Sequence, residues 1–522
     1  MSRTRRVTLS EWSLGVLFGA VSLSVLAALI SKGRPLGGAE SQVGADQLQY
    51  LSWVVSASHG AVINSLWSIP AQHGSSFFHP GFGFSGLLAK LGVPIIASYQ
   101  VWKLVAIPAV VVAAIAWVRR YLPEGGSRTA ALALVLFGLT PVGAIAGWNK
   151  LVGGYRGQIE FAAGEMFAPA WLWGYMMTAI AVAAMFGALL LAERQRSQAS
   201  SVRLGVAVTA LALVCSWLQP WQGAELLAAV VIADVLSRGE SRKGLWLTRL
   251  PFLAACVAPL VYYRWLSASE EVWRIAAEAN NAVPLWSFGV WLAVLLPWAP
   301  VLVAYRKRPS DWGEVVLLVL PILMIAEYFA IATSGSATFP FHAVQGIGFC
   351  FGVLAVKGGL AVRPREWWQS HRLLVVGFCA LMCIPGALHR MNLMRLEIHR
   401  SVQPYFLEQG EVDALAYLKE STTEGGVLAP IKAGLTVPAH AERATWVGEL
   451  SWTPDFRGRV QLAEAFFKGQ LGETDAARLL ADSKARFLYA DCGHQSDLGP
   501  SLAGRVLSFR SFGCARVWEL KQ

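Results

Sequence analysis

Asp46 stands near the start of a long loop after the first apolar stretch, in Gly44-Ala45-Asp46-Gln47-Leu48-Gln49-Tyr50, and that loop runs on to Phe77-Phe78-His79-Pro80. A carboxylate among apolar and aromatic residues at the rim of a membrane is suited to act as a general base or to bind a polar group. Burial there raises its pKa unless a cation or hydroxyl donor answers it. The structural alternative is a helix cap, because Asp46 precedes Leu48, Tyr50 and Leu51 and could accept backbone N–H groups. At about sixty residues, the loop over 32–92 is longer than a connector requires. Its apolar residues Leu48, Tyr50, Leu51, Trp53, Val54 and Val55, then Leu66, Trp67 and Ile69, predict one or two amphipathic helices lying at the interface. His59 and Gly60 end the first of them.

What holds that loop in place is a greasy chain. Of 522 residues, 55% are hydrophobic and 15% charged, and the mean hydropathy is +0.47, which indicates a polytopic α-helical membrane protein. Apolar runs around 12–31, 93–118, 129–148, 167–192, 203–218, 223–236, 250–265, 284–304, 313–333, 344–362 and 372–388 predict about eleven spans. Basic clusters occupy every second connection: Arg3, Arg5 and Arg6; Arg119 and Arg120; Arg194, Arg196 and Arg203; Arg238, Arg242 and Lys243; Arg306, Lys307 and Arg308; Arg363, Arg365 and Arg372. Retention of positive flanks in the cytoplasm puts the N-terminus inside, and loop 32–92 and everything after the last span outside. These clusters account for the net charge of +11, so no nucleic-acid partner is called for. Residues 1–31 read as an uncleaved first helix. No Asn-x-Ser/Thr sequon occurs, which favours a bacterial plasma membrane.

Composition changes after residue 388, dividing the chain into a transmembrane domain, 1–388, and an exported soluble α/β domain, 389–522. Within the latter the pattern predicts a helix at 411–420, a strand at 426–430, a loop at 434–443, a strand at 445–448 and helices at 457–469 and 475–484. Two alternating stretches then carry Cys492 and Cys514, either disulfide-bonded or free. The other five cysteines lie in apolar spans, and no Cys/His spacing suits a metal.

The order of these features over residues 1–120 resembles the start of the GT-C superfamily, multispanning glycosyltransferases that use lipid-phosphate-linked sugars. Asp46 and Tyr50 match that family's loop acid and its aromatic follower, His59-Gly60 the end of its first interfacial helix, and Phe78-His79-Pro80 with Leu87, Leu88 and Gly92 the element before its second span. The resemblance implies that Asp46 takes the proton of an acceptor hydroxyl, with a polyprenyl-phosphate sugar as donor and an envelope glycan, lipid or protein as acceptor. The chain departs from the family where Gln47 stands in place of a second acid, and Glu40 is the loop's one other carboxylate, so a divalent metal is not indicated.

Further candidates fall on the same outer side. Lys150 and Arg156, in the glycine-bearing loop 149–160, suit the phosphate of a lipid headgroup, although they could equally pair with nearby acids. Glu160 or Glu165 could orient a sugar hydroxyl. His342 opens a span from outside, either to meet a phosphate or leaving group or as a polar anchor. Trp217 and Trp221 flank a tight turn at Gln219-Pro220 and either stack on sugar or join an aromatic belt. Trp446, Trp452 and Arg459 either touch a glycan or pack the exported domain. A transporter or flippase is the competing class, with the intramembrane acids Glu225 and Glu327 as coupling groups, and a non-catalytic anchor for the C-terminal domain is the third. The long first loop and the lack of an internal repeat weigh against transport.

Overall fold

The computed structural model describes residues 7–41, 43–60, 62–64, 76–138, 165–197, 201–237, 242–281, 291, 298–334 and 339–521. Among the described residues seven helices are long and apolar enough to cross a membrane, and the chain is an integral membrane protein. In chain order the helices used below are α1 (Leu9–Ile30), α2 (Gly44–His59), α3 (Pro80–Lys90), α4 (Lys103–Tyr121), α5 (Gly126–Phe137), α6 (Met176–Ser197), α7 (Val202–Leu218), α8 (Pro220–Leu236), α9 (Arg242–Ser269), α10 (Glu271–Asn281), α11 (Trp312–Ser334), α12 (Ile347–Val362) and α13 (Arg372–Arg400). α5, α7 and α8 are shorter than a typical span. The expected span over 284–304 falls mostly outside the described residues.

The helices alternate in direction, and the polar groups sort accordingly to two ends. At one end Arg119 pairs with Glu11 at 2.5 Å, Arg120 with Glu193 at 2.5 Å, Arg196 with Asp234 at 2.7 Å, and Lys357 with Glu314. This is the basic end foreseen from the Lys and Arg pattern, and acids on neighbouring helices neutralise part of it. The other end carries loop 32–92, the turn between α7 and α8 and the C-terminal domain.

α2 does not lie on the surface as an interfacial helix. It is enclosed between α3 and the C-terminal domain, with Leu48, Leu51, Val54 and Val55 buried. Its tight packing on α3 follows from Gly86, where a Cβ would come within 2.6 Å of the Ala57 backbone. The expected apolar residues Leu66, Trp67 and Ile69 lie outside the described residues.

α13 continues to Arg400, twelve residues beyond the boundary expected at 388. The C-terminal domain adds α14 (Gln409–Glu420), α15 (Ile431–His440), α16 (Phe456–Phe467) and α17 (Glu473–Ser483) around a four-stranded sheet. Its order is β3-β4-β6-β5, from β3 (Val427–Leu428), β4 (Phe487–Ala490), β5 (Val506–Phe512) and β6 (Ala515–Leu520); β1 (Ile63–Asn64) and β2 (Ser76–Phe77) pair separately in the first loop. Strand alternation divides the core: Phe487 and Tyr489 face α14 and α15, whereas Leu488 and Ala490 face α16 and α17. Cys492 and Cys514 are disulfide-bonded, joining the end of β4 to the β5–β6 turn.

Two expectations here are corrected. The segment read as a loop, 434–443, is largely helix α15, whose Pro438 and Gly434 disguise it. Gly434 is required because a Cβ there would strike the Val447 carbonyl. The strand expected at 445–448 reduces to one parallel bridge between Val427 and Thr445.

The C-terminal domain is bonded directly to the first loop. Gly37 N donates to Tyr405 O at 2.8 Å, Leu407 N to Pro35 O at 3.0 Å, and the His440 imidazole meets Gly37 O at 2.8 Å. Tyr405 Oη donates to Ser41 O at 2.6 Å, five residues before Asp46.

Candidate active site

Asp46 is the third residue of α2, which begins at Gly44; the side chain therefore does not cap the helix, as the structural alternative required. Its place in the first turn lets the N-terminal helix dipole favour the ionised form. Gly44 starts the helix because Pro404 and Ala39 pack where a Cβ would be, at 2.7 and 2.8 Å.

A hydrogen-bond chain fixes the carboxylate. Tyr175 Oη donates to Asp46 Oδ2 at 2.8 Å, and Ser41 Oγ donates to Tyr175 Oη at 3.3 Å. Gln47 Nε2 in turn donates to Ser41 Oγ at 2.6 Å, while Gln47 Oε1 accepts from the Glu40 and Ser41 amides, both at 2.8 Å. Gln47 thus shapes the turn before α2.

Asp46 opens into a cavity of about 930 Å³ between the bundle and the C-terminal domain. α2 contributes Asp46, Gln49, Tyr50 and Trp53, a stripe at helical spacing. Tyr175, Glu165, His79, Trp221, His342, Gln345, Arg264, Glu327 and Arg390 continue the wall, and Glu449 to Trp452 close it from the C-terminal domain. Burial pushes the Asp46 carboxyl up to about 7, the Tyr175 hydrogen bond opposes this, and the negative charge of Glu165 adds to it. Glu165 is likewise pushed up to about 7 by burial, against the Gln345 hydrogen bond and the attraction of Arg390. Burial and repulsion from Asp46 raise Glu449 to about 8. A carboxyl that titrates near neutrality is matched to proton transfer at physiological pH.

Tyr50 is an aromatic spacer beside Asp46, its ring centroid 5.3 Å from Phe82, 6.0 Å from Tyr99 and 6.1 Å from Tyr175. His79 caps α3, accepting from Phe82 N at 3.5 Å, and burial holds its pKa down at about 4, so its ring is neutral at pH 7. His342 stacks on Trp221 with centroids 4.5 Å apart and its Nε2 lies 3.9 Å from Glu165 Oε2. Gln345 ties this group together, donating to Glu165 Oε2 and accepting from Trp221 Nε1 at 3.3 Å. Trp221 therefore faces the cavity and does not serve as a lipid-belt residue. Glu327 lines the cavity, with Glu225 against it from α8.

Asp46, Tyr50, His79, Glu165 and His342 thus all line the one cavity; Lys150, Arg156 and Glu160 lie outside the described residues. Trp452 lines the cavity, whereas Arg459 stacks over Trp446 at 5.0 Å and donates to its carbonyl, a packing role within the domain. Sequence reasoning missed Tyr175, Gln345, Arg390 and Glu449. Tyr175 sits inside the run read as a span, and its signal was Gly174, which adopts φ +106° and breaks the helix before it. Arg390 lies two residues past the expected end of the last span; Glu449 gives no local signal. Among the described residues no three His, Cys, Asp or Glu side chains approach closely enough to hold a metal ion.

No protein-family model matches the chain, and no curated protein matches its sequence. Solved structures do match in fold. The oligosaccharyltransferase AglB of Archaeoglobus fulgidus, in complex with an inhibitory peptide and a dolichol-phosphate, is similar at a TM-score of 0.52 and 13% identity, over 98% of this chain and 74% of that one. ArnT of Cupriavidus metallidurans, bound to undecaprenyl phosphate, is similar at 0.50 and 14%, over 98% of each chain. The mycobacterial arabinofuranosyltransferase AftD is similar at 0.53 and 14%, over 92% of this chain and 36% of that one. The chain has the GT-C fold anticipated from residues 1–120.

Proposed function

We propose that this chain is a membrane glycosyltransferase that moves a sugar from a polyprenyl-phosphate carrier to an acceptor hydroxyl of an envelope glycan, lipid or protein, at the outer face of a bacterial plasma membrane. The observation that carries this reading is Asp46: a carboxyl pushed up to about 7, held by Tyr175 at 2.8 Å, on the wall of a cavity between the bundle and the C-terminal domain. The fold neighbours, whose structures include a dolichol-phosphate and an undecaprenyl phosphate, support the donor class.

In this mechanism the acceptor oxygen forms a bond to the anomeric carbon as Asp46 takes its proton. The bond from that carbon to the carrier phosphate breaks, and the phosphate leaves with the electron pair. A single displacement inverts the anomeric centre. Arg390 and His342, both on the cavity wall, and Lys150 or Arg156 from the loop at 149–160, stabilise the departing phosphate. Glu165, tied to Gln345, orients a sugar hydroxyl. Tyr50 and His79 shape the donor's surroundings.

The test is sugar transfer in proteoliposomes with a panel of radiolabelled polyprenyl-phosphate sugars, comparing the natural chain with Asp46→Asn. Loss of a general base slows transfer by roughly 10²–10⁴-fold. Equal turnover by the two proteins would remove Asp46 from the chemistry.

A further inference from the structure

Behind the hydrogen bond between Tyr175 and Asp46 lies an ion pair shut off from solvent. Lys103, the first residue of α4, and Glu40, the other carboxylate of the first loop, are 2% and 1% exposed, and Lys103 Nζ donates to Glu40 Oε1. Gln100 Nε2 donates to Glu40 Oε2 at 2.8 Å, so both oxygens of the carboxylate are answered. Neither Lys103 nor Glu40 lines the cavity. Desolvation cancels much of what such a pair contributes to stability, and what is left is the geometry it fixes.

That geometry converges on the two segments around the Tyr175–Asp46 bond. Lys103 Nζ also donates to Leu172 O, and Tyr99 Oη donates to Gly174 O at 2.8 Å, so Lys103 and Tyr99 hold the stretch that leads directly into Tyr175. On the other side, the Glu40 and Ser41 amides donate to Gln47 Oε1, and Ser41 Oγ donates to Tyr175 Oη. The two segments touch at Gly174, where a Cβ would lie 2.5 Å from the Gln47 side-chain amide. Lys103 is bonded to both segments at once, to one through Leu172 and to the other through Glu40.

We infer that the Glu40–Lys103 pair, together with Tyr99, is a positioning device that holds the Tyr175 hydroxyl on Asp46. The inference rests on the reading of Asp46 as the base and adds the residues that set it. Without the pair, the segment ending at Tyr175 and the segment at Glu40–Ser41 lose their common tie, and the tyrosine hydroxyl moves off the carboxylate. Asp46 then titrates higher, because the bond that opposed its burial is gone. Tyr50, Tyr99, Glu165 and Glu449 also face Asp46, and replacing Glu40 and Lys103 together by neutral residues changes neither these groups nor the net charge.

The experiment is an infrared titration of the full-length protein in lipid nanodiscs, from pH 4 to 10. Aspartate labelled with carbon-13 at its carboxyl carbon separates the protonated Asp46 band from those of Glu165 and Glu449, and loss of the band in Asp46→Asn assigns it. In Glu40→Gln with Lys103→Met the midpoint is expected to rise by about one pH unit, the lower end of what a hydrogen bond to a charged group is worth. Tyr99→Phe, a milder change to the same support, is expected to move the midpoint less and in the same direction. In a Tyr175→Phe background neither change is expected to move it further. A pair that only stabilises the fold would lower the unfolding temperature and leave the midpoint of the folded protein in place, and that result overturns the inference. An equal shift in the Tyr175→Phe background also overturns it, since the effect would then bypass the tyrosine. If the double variant does not fold, Tyr99→Phe decides on the same two outcomes. Transfer from polyprenyl-phosphate sugars is followed in parallel. The expected shifts in a protein that transfers no sugar leave the positioning device standing and sink the transferase reading, whereas Asp46-dependent transfer with an unshifted midpoint does the reverse.

Discussion

Tyr175 and Asp46, 129 residues apart, meet through one hydrogen bond of 2.8 Å, and that bond lowers the pKa that burial raises. The tyrosine is a positioning residue that also tunes the acid beside it. Ser41 and Gln47 keep its hydroxyl turned toward Asp46.

Replacing that hydroxyl is therefore expected to move a pH profile. A hydrogen bond to a charged group contributes about 1.5–3 kcal/mol, equivalent to roughly one to two pKa units. In Tyr175→Phe the rise of transfer rate with pH, expected near 7 in the natural chain, shifts upward by that amount, while the rate at high pH largely recovers. An unchanged profile in steady-state assays from pH 5 to 9 would separate Tyr175 from the base.

Asp46 is expected to cost stability when ionised. Its pKa lies above the ordinary 3.8, so the folded protein holds a proton that the unfolded chain has lost, and stability falls as pH rises from about 4 to about 7. Asp46→Asn removes this dependence. Its gain over the natural chain is near zero at pH 4, grows through that window, and levels off above pH 7 at about 1–3 kcal/mol, a range that allows for water in the cavity. Thermal unfolding in detergent at pH 4, 6 and 8 measures the difference.

Gly86→Val tests the seat of α2 without altering an ionisable side chain. A Cβ at this position meets the Ala57 and Ser58 backbone at 2.6–2.8 Å, so α2 must move off α3. Destabilisation of about 1–3 kcal/mol is expected, with loss of transfer, because α2 carries Asp46. Thermal unfolding and the proteoliposome assay, run together, read both effects.

The disulfide Cys492–Cys514 closes a loop across 22 residues. Loop entropy assigns it roughly 3 kcal/mol, so the double replacement Cys492→Ser with Cys514→Ser is expected to make the C-terminal domain sensitive to protease while leaving the bundle intact. Limited proteolysis followed by mass spectrometry checks which part is cut.

Much of this protein is written locally. The membrane helices are legible because lipid forces every backbone group into a helix and every exposed face to be apolar, so length and hydropathy suffice for α1, α6, α11 and α12. The sorting of charge to one end is legible for a similar reason, since each cationic cluster borders an apolar stretch, and Asp46 could be singled out as an acid in an aromatic loop. What only the tertiary structure decided is the company Asp46 keeps. Tyr175, Gln345, Arg390 and Glu449 reach the cavity from four separate elements, and no spacing along the chain records their convergence. The enclosure of α2 was hidden too, because its partner α15 contains Gly434 and Pro438, residues that read locally as a loop and are tolerated where Val447 and α2 pack closely on it. Periodicity reports which face of a helix is buried; only long-range packing selects the residues that bury it.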